Sequence, residues 1–241
     1  MKKTSNKIIT GIIAVLAVLI LAAGIYVNDY YHSEDTVNVY LTGVDGVQVT
    51  EISEGLWING EGEEDALIFY PGAKVEYTAY LPLLTELASQ GVDCFLVKMP
   101  GNLAFLGMNR ADDIMQQYSY QNWYIGGHSL GGAMAAAYAS EHLTQLDGLV
   151  LLAAYPTRSL SDNTFRVISI YGSEDGVLNM DKVREGRQWM PVHYTELCIQ
   201  GGNHGQFGSY GIQKGDGEAL IDAKEQRRQT IEAIMKMIEG E

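Results

Sequence analysis

The stretch Asn122-Trp123-Tyr124-Ile125-Gly126-Gly127-His128-Ser129-Leu130-Gly131-Gly132-Ala133-Met134-Ala135-Ala136-Ala137 decides the fold. Its first four residues have the composition of a buried strand. The small residues from Gly132 read as the start of a helix. Ser129 stands between the two, at a sharp strand-to-helix turn. Such a turn forces the serine into a strained backbone and pushes its hydroxyl out above the sheet. Gly127 and Gly131 are needed on either side, because a Cβ there would collide with the neighbouring strand and helix.

Outward from this stretch, apolar runs recur at Ala66–Tyr70, Val92–Lys98, Gly148–Ala153, Arg166–Tyr171 and Tyr194–Ile199. Helix-like segments fall between most of them, at Tyr77–Gln90, Arg110–Tyr118, Leu130–Glu141, Asn179–Met190 and Ala219–Ile238. In the first, Tyr80, Leu83, Leu84 and Leu87 share one face and Gly91 stops the helix. Continuous apolar strands alternating with helices predict an α/β fold. Its sheet should be mostly parallel, of about eight strands, with helices on both faces. Right-handed crossovers then fix the winding. Upstream, Val37–Leu41 and Val47–Ile52 alternate at period two around Asp45-Gly46, which predicts a hairpin. Leu56-Trp57-Ile58 extends this antiparallel edge. Only Tyr155–Phe165 separates two successive strands, too little for a lid domain, so the site should be open.

The 241 residues suit one such domain, with 46% hydrophobic and 19% charged residues. The net charge is −14. Without Lys2, Lys3 and Lys7, the basic residues fall to 13 against 30 acidic ones, leaving about −17. No basic cluster interrupts that acidity, which argues against nucleic acid as a partner.

Ile8–Val27 is a run of twenty residues without a charge. As a helix it spans about 30 Å, enough to cross a bilayer. The lysines before it place the N-terminus in the cytoplasm and the following domain outside. Residues 1–27 therefore read as a signal-anchor, 28–36 as a polar linker and 37–241 as the folded domain. A cleaved signal peptide is the competing reading, but Leu21 fits poorly before Ala22-Ala23-Gly24 and the run is long for an h-region. Either way the domain is exported. Cys94 and Cys198 lie in strands that such a sheet holds far apart, so both are expected as free, buried thiols. No C-x-x-C, H-E-x-x-H or aspartate-rich loop suggests a metal, and no G-x-G-x-x-G suggests a dinucleotide. No cofactor is implied.

Sites in open α/β sheets form at the carboxyl ends of the strands. After Tyr70 comes Pro71-Gly72-Ala73-Lys74. After Ile125 comes Gly126-Gly127-His128-Ser129. After Tyr171 comes Gly172-Ser173-Glu174-Asp175-Gly176, and after Ile199 comes Gln200-Gly201-Gly202-Asn203-His204-Gly205. A serine, an acid and a histidine thus stand at three strand ends in that order. In this the chain resembles the α/β-hydrolase superfamily from about Ala66 onward, with the flavour of its small, lidless carboxylesterase and dienelactone-hydrolase-like members.

The resemblance implies Ser129 as nucleophile, His204 as general base and then acid, and Asp175 as the carboxylate that orients His204, with Glu174 as the fallback. A serine hydroxyl is a weak nucleophile until an imidazole takes its proton. The resemblance also implies two backbone N–H donors for an oxyanion. Leu130, at the helix N-terminus, is one. The other comes from the loop after Tyr70. The family often carries His-Gly there, whereas this chain has Pro71-Gly72, so Ala73 is the candidate and Lys74 the alternative.

The remaining histidines fit less well. His128 lies inside the turn, His142 follows a helix, His193 precedes a strand and His32 is in the linker. Met99, Leu103, Phe105, Tyr155, Leu178 and Phe207 are candidate lining for a substrate pocket, against the alternative of plain core packing. Phe207–Gly217 is glycine-rich and either gates access or merely connects. The implied activity is hydrolysis of a small carboxylic ester through an acyl-enzyme. Thioester or amide hydrolysis, acyl transfer and a non-catalytic binding domain on the same fold are the alternatives.

Overall fold

The computed structural model describes residues 2–44, 46–162 and 164–240. The chain divides into two units, one up to Tyr30 and one from Tyr31 onward. The first unit is a single helix, α1 (Lys2–Asn28). Ile12, Ile13, Leu16, Leu19, Leu21 and Ile25 on it are exposed. A helix apolar on all sides cannot be stable with those sides in water. By length and composition Gly11–Asn28 is able to cross a membrane, a test that a signal sequence also passes.

The second unit is built on eight strands: β1 (Gln48–Ile52), β2 (Gly55–Asn59), β3 (Asp65–Tyr70), β4 (Val92–Val97), β5 (Asn122–His128), β6 (Gly148–Leu152), β7 (Arg166–Gly172) and β8 (His193–Ile199). They form one sheet in the order β1-β2-β4-β3-β5-β6-β7-β8. The pairs β1/β2 and β2/β4 are antiparallel, and all others are parallel. Helices α2 (Leu81–Ala88), α3 (Arg110–Gln117), α4 (Leu130–Ala139), α5 (Met180–Gly186) and α6 (Ala223–Glu239) connect and cover them.

The core lies in two layers, because alternate residues of a strand face opposite ways. Leu67, Phe69, Cys94 and Leu96 pack with Leu81 and Leu84 of α2 and Ile231 and Ile234 of α6. Ala66, Ile68, Phe95 and Val97 pack with Ile114 of α3 and Ala135 and Tyr138 of α4. Burial on both faces explains why the central strands read as continuous apolar runs. The register puts their carboxyl ends level. Tyr70 stands beside Gly127, His128 beside Leu152, and Gly172 beside Ile199.

Four expectations need correction. Val37–Leu41 is not a strand: Asp35–Tyr40 is a 3-10 helix in which only Val37 is buried, while Val39 is 66% exposed. The edge hairpin instead joins β1 to β2 through Ser53-Glu54. Of the expected Asp45-Gly46 turn, Asp45 lies outside the described residues. The last helix starts at Ala223, not Ala219, because the Asp222 carboxylate caps it by accepting from Glu225 N–H at 2.8 Å. Cys94 and Cys198 are both free, but Cys198 on edge strand β8 is only half-buried. Between β6 and β7, the described residues of 153–165 form no helix or strand.

Candidate active site

Ser129 joins β5 to α4 with φ +53° and ψ −121°. A side chain held at such a φ costs on the order of 1–3 kcal/mol and persists only where its surroundings enforce it. Here they do. Ser129 N–H donates to Leu152 O at 2.9 Å, tying the turn to β6. A Cβ on Gly127 would stand 2.5 Å from Tyr70 O, and one on Gly131 2.2 Å from Tyr70 O and 2.4 Å from Pro71 O. The two glycines let the turn press against the end of β3.

Asp175 follows β7. Its Oδ1 accepts from the N–H groups of Val177 and Leu178 at 2.9 and 2.8 Å. Its Oδ2 is 2.9 Å from His204 Nδ1, and the two side chains are 2% and 1% exposed. A carboxylate held this way keeps the proton on Nδ1 and leaves the Nε2 lone pair free. His204 Nε2 is buried and has no hydrogen-bond partner among the described residues. Glu174, the fallback acid, instead accepts from the Ser173 hydroxyl at the surface.

Among the described residues, one N–H of the loop after β3 has no acceptor. Gly72 N–H donates to the Tyr80 hydroxyl at 3.0 Å, and Lys74 N–H donates to Asn102 O at 2.8 Å. Ala73 N–H lies between them and finds no acceptor among the described residues, and the same is true of Leu130 N–H at the start of α4. The Tyr80 hydroxyl, which accepts from Gly72, is also hydrogen-bonded to His128 Nδ1 at 2.8 Å. The His128 ring is buried, with its centroid 4.5 Å from that of His204. Burial, and then the neighbouring His204 imidazole, hold His128 well below the usual histidine range. His128 is therefore a neutral strut between the Gly72 loop and His204.

Residues 66–228 fit the family model described as "Alpha/beta hydrolase family". The chain belongs to the alpha/beta hydrolase family. No match is found among curated protein sequences. Among solved structures, a membrane phospholipase A described as a bacterial virulence factor is similar at TM-score 0.62 and 11% identity, over 100% of this chain and 99% of that one. A dienelactone hydrolase from Anabaena variabilis is similar at TM-score 0.60 and 13% identity, over 80% and 99%. Carboxyl esterase 2 from Tuber melanosporum is similar at TM-score 0.58 and 11% identity, over 86% and 89%. At such identities the likeness is one of fold.

In this α/β hydrolase, Ser129 and His204 line a common cavity of about 250 Å³. Leu130, Ala133, Ala153, Ala154, Tyr155, Val177, Leu178 and Asn179 complete its wall. Of the six residues expected to line a pocket, Tyr155 and Leu178 do so. Met99 and Leu103 are core residues, and Phe207 is buried against the His128 ring. Phe105 is 54% exposed and lines a separate surface groove with Arg110 and Gln116. Among the described residues no group of three or more His, Cys, Asp or Glu could hold a metal ion.

Two features escaped the sequence reading. The first is Asp216, in the glycine-rich segment. Its Oδ1 accepts from the N–H groups of Gly176, His204 and Gly217 at 3.1, 3.2 and 2.9 Å, and its Oδ2 from Gly205 at 2.8 Å. One carboxylate thus clamps the Asp175 loop to the His204 loop. The second is the segment starting at Tyr31. Tyr31 N–H donates to Lys74 O at 2.7 Å, Glu76 N–H donates to Tyr31 O at 2.8 Å, and the Tyr31 hydroxyl accepts from Lys214 N–H at 3.1 Å. Glu34 N–H adds a bond to Ser209 O at 2.9 Å. This strap joins the Ala73 loop to the segment that carries Asp216. Neither feature has a motif that would announce it.

Proposed function

We propose that the chain is a membrane-anchored serine hydrolase of carboxylic esters, with its catalytic domain outside the cytoplasm. One observation carries the reading. A buried imidazole bonded through Nδ1 to a buried carboxylate presents an unpartnered Nε2 in the same cavity as a serine on a strained turn. In this reading Ser129 Oγ gives its proton to His204 Nε2 and attacks the ester carbonyl. Asp175 supports the imidazolium that forms. The carbonyl oxygen takes the negative charge, and the N–H groups of Ala73 and Leu130 receive it. Two such donors contribute roughly 3–4 kcal/mol each to the transition state. His204 then protonates the leaving alcohol. In the second half, His204 activates a water that releases the acid from Ser129.

The carboxyl esterase and the dienelactone hydrolase among the similar folds support an ester as the substrate class. The small cavity, and a connection between β6 and β7 whose described residues form no helix or strand, favour a short acyl group reached directly from the surface. The apolar α1 and the three lysines before its uncharged run support the anchor and the direction. A fluorophosphonate probe tests the chemistry. It labels the wild type and fails to label Ser129→Ala. A wild type that takes no label ends the enzyme reading.

A further inference from the structure

We propose that the site works at the bilayer surface and takes esters held in that bilayer; this rests on the anchored serine-hydrolase reading above. Helix α1 ends at Asn28. Tyr31 is already bonded to Lys74 and Glu76 through its backbone and to Lys214 through its hydroxyl. Three residues of fully extended chain reach at most about 11 Å. Lys74 directly follows Ala73. A bilayer that holds α1 therefore keeps the Ala73 loop within about 20 Å of the helix end, whatever the orientation of the domain.

The strap reaches a second loop as well. Ile212 lies between the Ser209 and Lys214 contacts of the strap and is 95% exposed. An apolar β-branched side chain with no packing in its own protein gains by leaving water. Acyl chains at the edge of a bilayer would cover it. Charge does not draw the domain there. A domain near −17 is repelled by anionic headgroups. The short tether supplies the proximity that attraction does not, and it removes the need for a lid to sense an interface.

The experiment uses the full chain in phosphatidylcholine vesicles with two butyryl esters. One is a soluble aryl butyrate and the other is a butyryl diglyceride held in the vesicles. Twenty Gly and Ser residues are inserted between Asn28 and Asp29, which leaves every bond of Tyr31 in place. Local concentration falls with about the −3/2 power of tether length, so a tether growing from three to 23 residues dilutes the site about twentyfold. Turnover of the vesicle ester is expected to fall by about tenfold or more, with the soluble ester within about twofold of the wild type. Ile212→Ser should lower only the vesicle reaction. Unchanged vesicle turnover after the insertion overturns the inference. So does a vesicle ester left intact while the soluble one is cleaved. Equal loss on both esters also overturns it, because the insertion then acts through the strap and not through distance. If neither ester is cleaved, the serine-hydrolase reading fails first and this inference falls with it.

Discussion

Asp216→Asn separates positioning from chemistry at this site. In the wild type, Oδ1 accepts three backbone N–H groups and Oδ2 accepts one. An asparagine has one acceptor oxygen. Its best placement keeps the three bonds and turns the amide NH2 toward Gly205, where donor meets donor. The loss is one charge-assisted bond and the full charge behind the others, on the order of 1–3 kcal/mol. Asp216 is half-buried, so the lower part of that range, about 1.5 kcal/mol, is expected in urea unfolding. The effect on turnover should be larger. Gly176 adjoins Asp175, and the His204 backbone loses part of its anchor. Misplacing a reacting group by about 1 Å costs on the order of a hundredfold. We expect kcat on an aryl ester to fall by about ten- to a hundredfold. KM should hold, because Asp216 does not line the cavity with Ser129. If kcat stays within about twofold while stability falls as stated, Asp216 is only a structural clamp and the positioning argument is refuted.

Two further expectations follow from buried partners. Tyr80→Phe strands Gly72 N–H and His128 Nδ1 together. It should cost about 1–3 kcal/mol in unfolding and lower kcat by loosening the loop that carries Ala73; intact kcat would show that the loop holds without the hydroxyl. Glu196 accepts two bonds from Arg187 and one each from Tyr194 and Tyr171. The Arg187 hydrogen bonds foremost, then those of the tyrosines, hold its carboxyl at about 2. A depressed carboxylate gives stability that is fully present above its unfolded value of about 4.5 and is lost as pH falls toward about 2. Because Arg187 is half exposed, solvent screening brings the contribution to about 1 kcal/mol. Glu196→Gln should be less stable than the wild type by that amount at pH 7, and the gap should close near pH 2. A gap constant across that range would rule out the ionised network as its source.

Strands buried on both faces are readable because every position must be apolar. Ala66–Tyr70 and Gly148–Leu152 are such runs, and they were legible almost to the residue. The serine turn was legible for a different reason, since only glycine tolerates the 2.2 Å and 2.5 Å approaches at Gly131 and Gly127. Val37–Leu41 misled because alternation of apolar residues does not say whether both are buried. Val37 is, and Val39 is not. Met99 and Leu103 were singled out on apolar character alone, which does not separate pocket lining from core packing, and both are buried in the core away from the cavity that Ser129 lines. Asp216 and Tyr31 were hidden because their bonds go to backbone N–H and C=O groups. Those groups are the same in every residue, so no pattern of side chains marks the partner.

The strap also fixes how force would travel. Tyr31 and Val75 form an isolated parallel bridge outside the main sheet. A pull along the chain toward α1 is borne at Tyr31 by bonds to Lys74 and Glu76, and passes from there into the Ala73 backbone. The eight-stranded sheet, with its many bonds in parallel, lies behind that loop and carries the load last. The mechanical weak link and the proposed charge-stabilising loop are thus one piece of backbone.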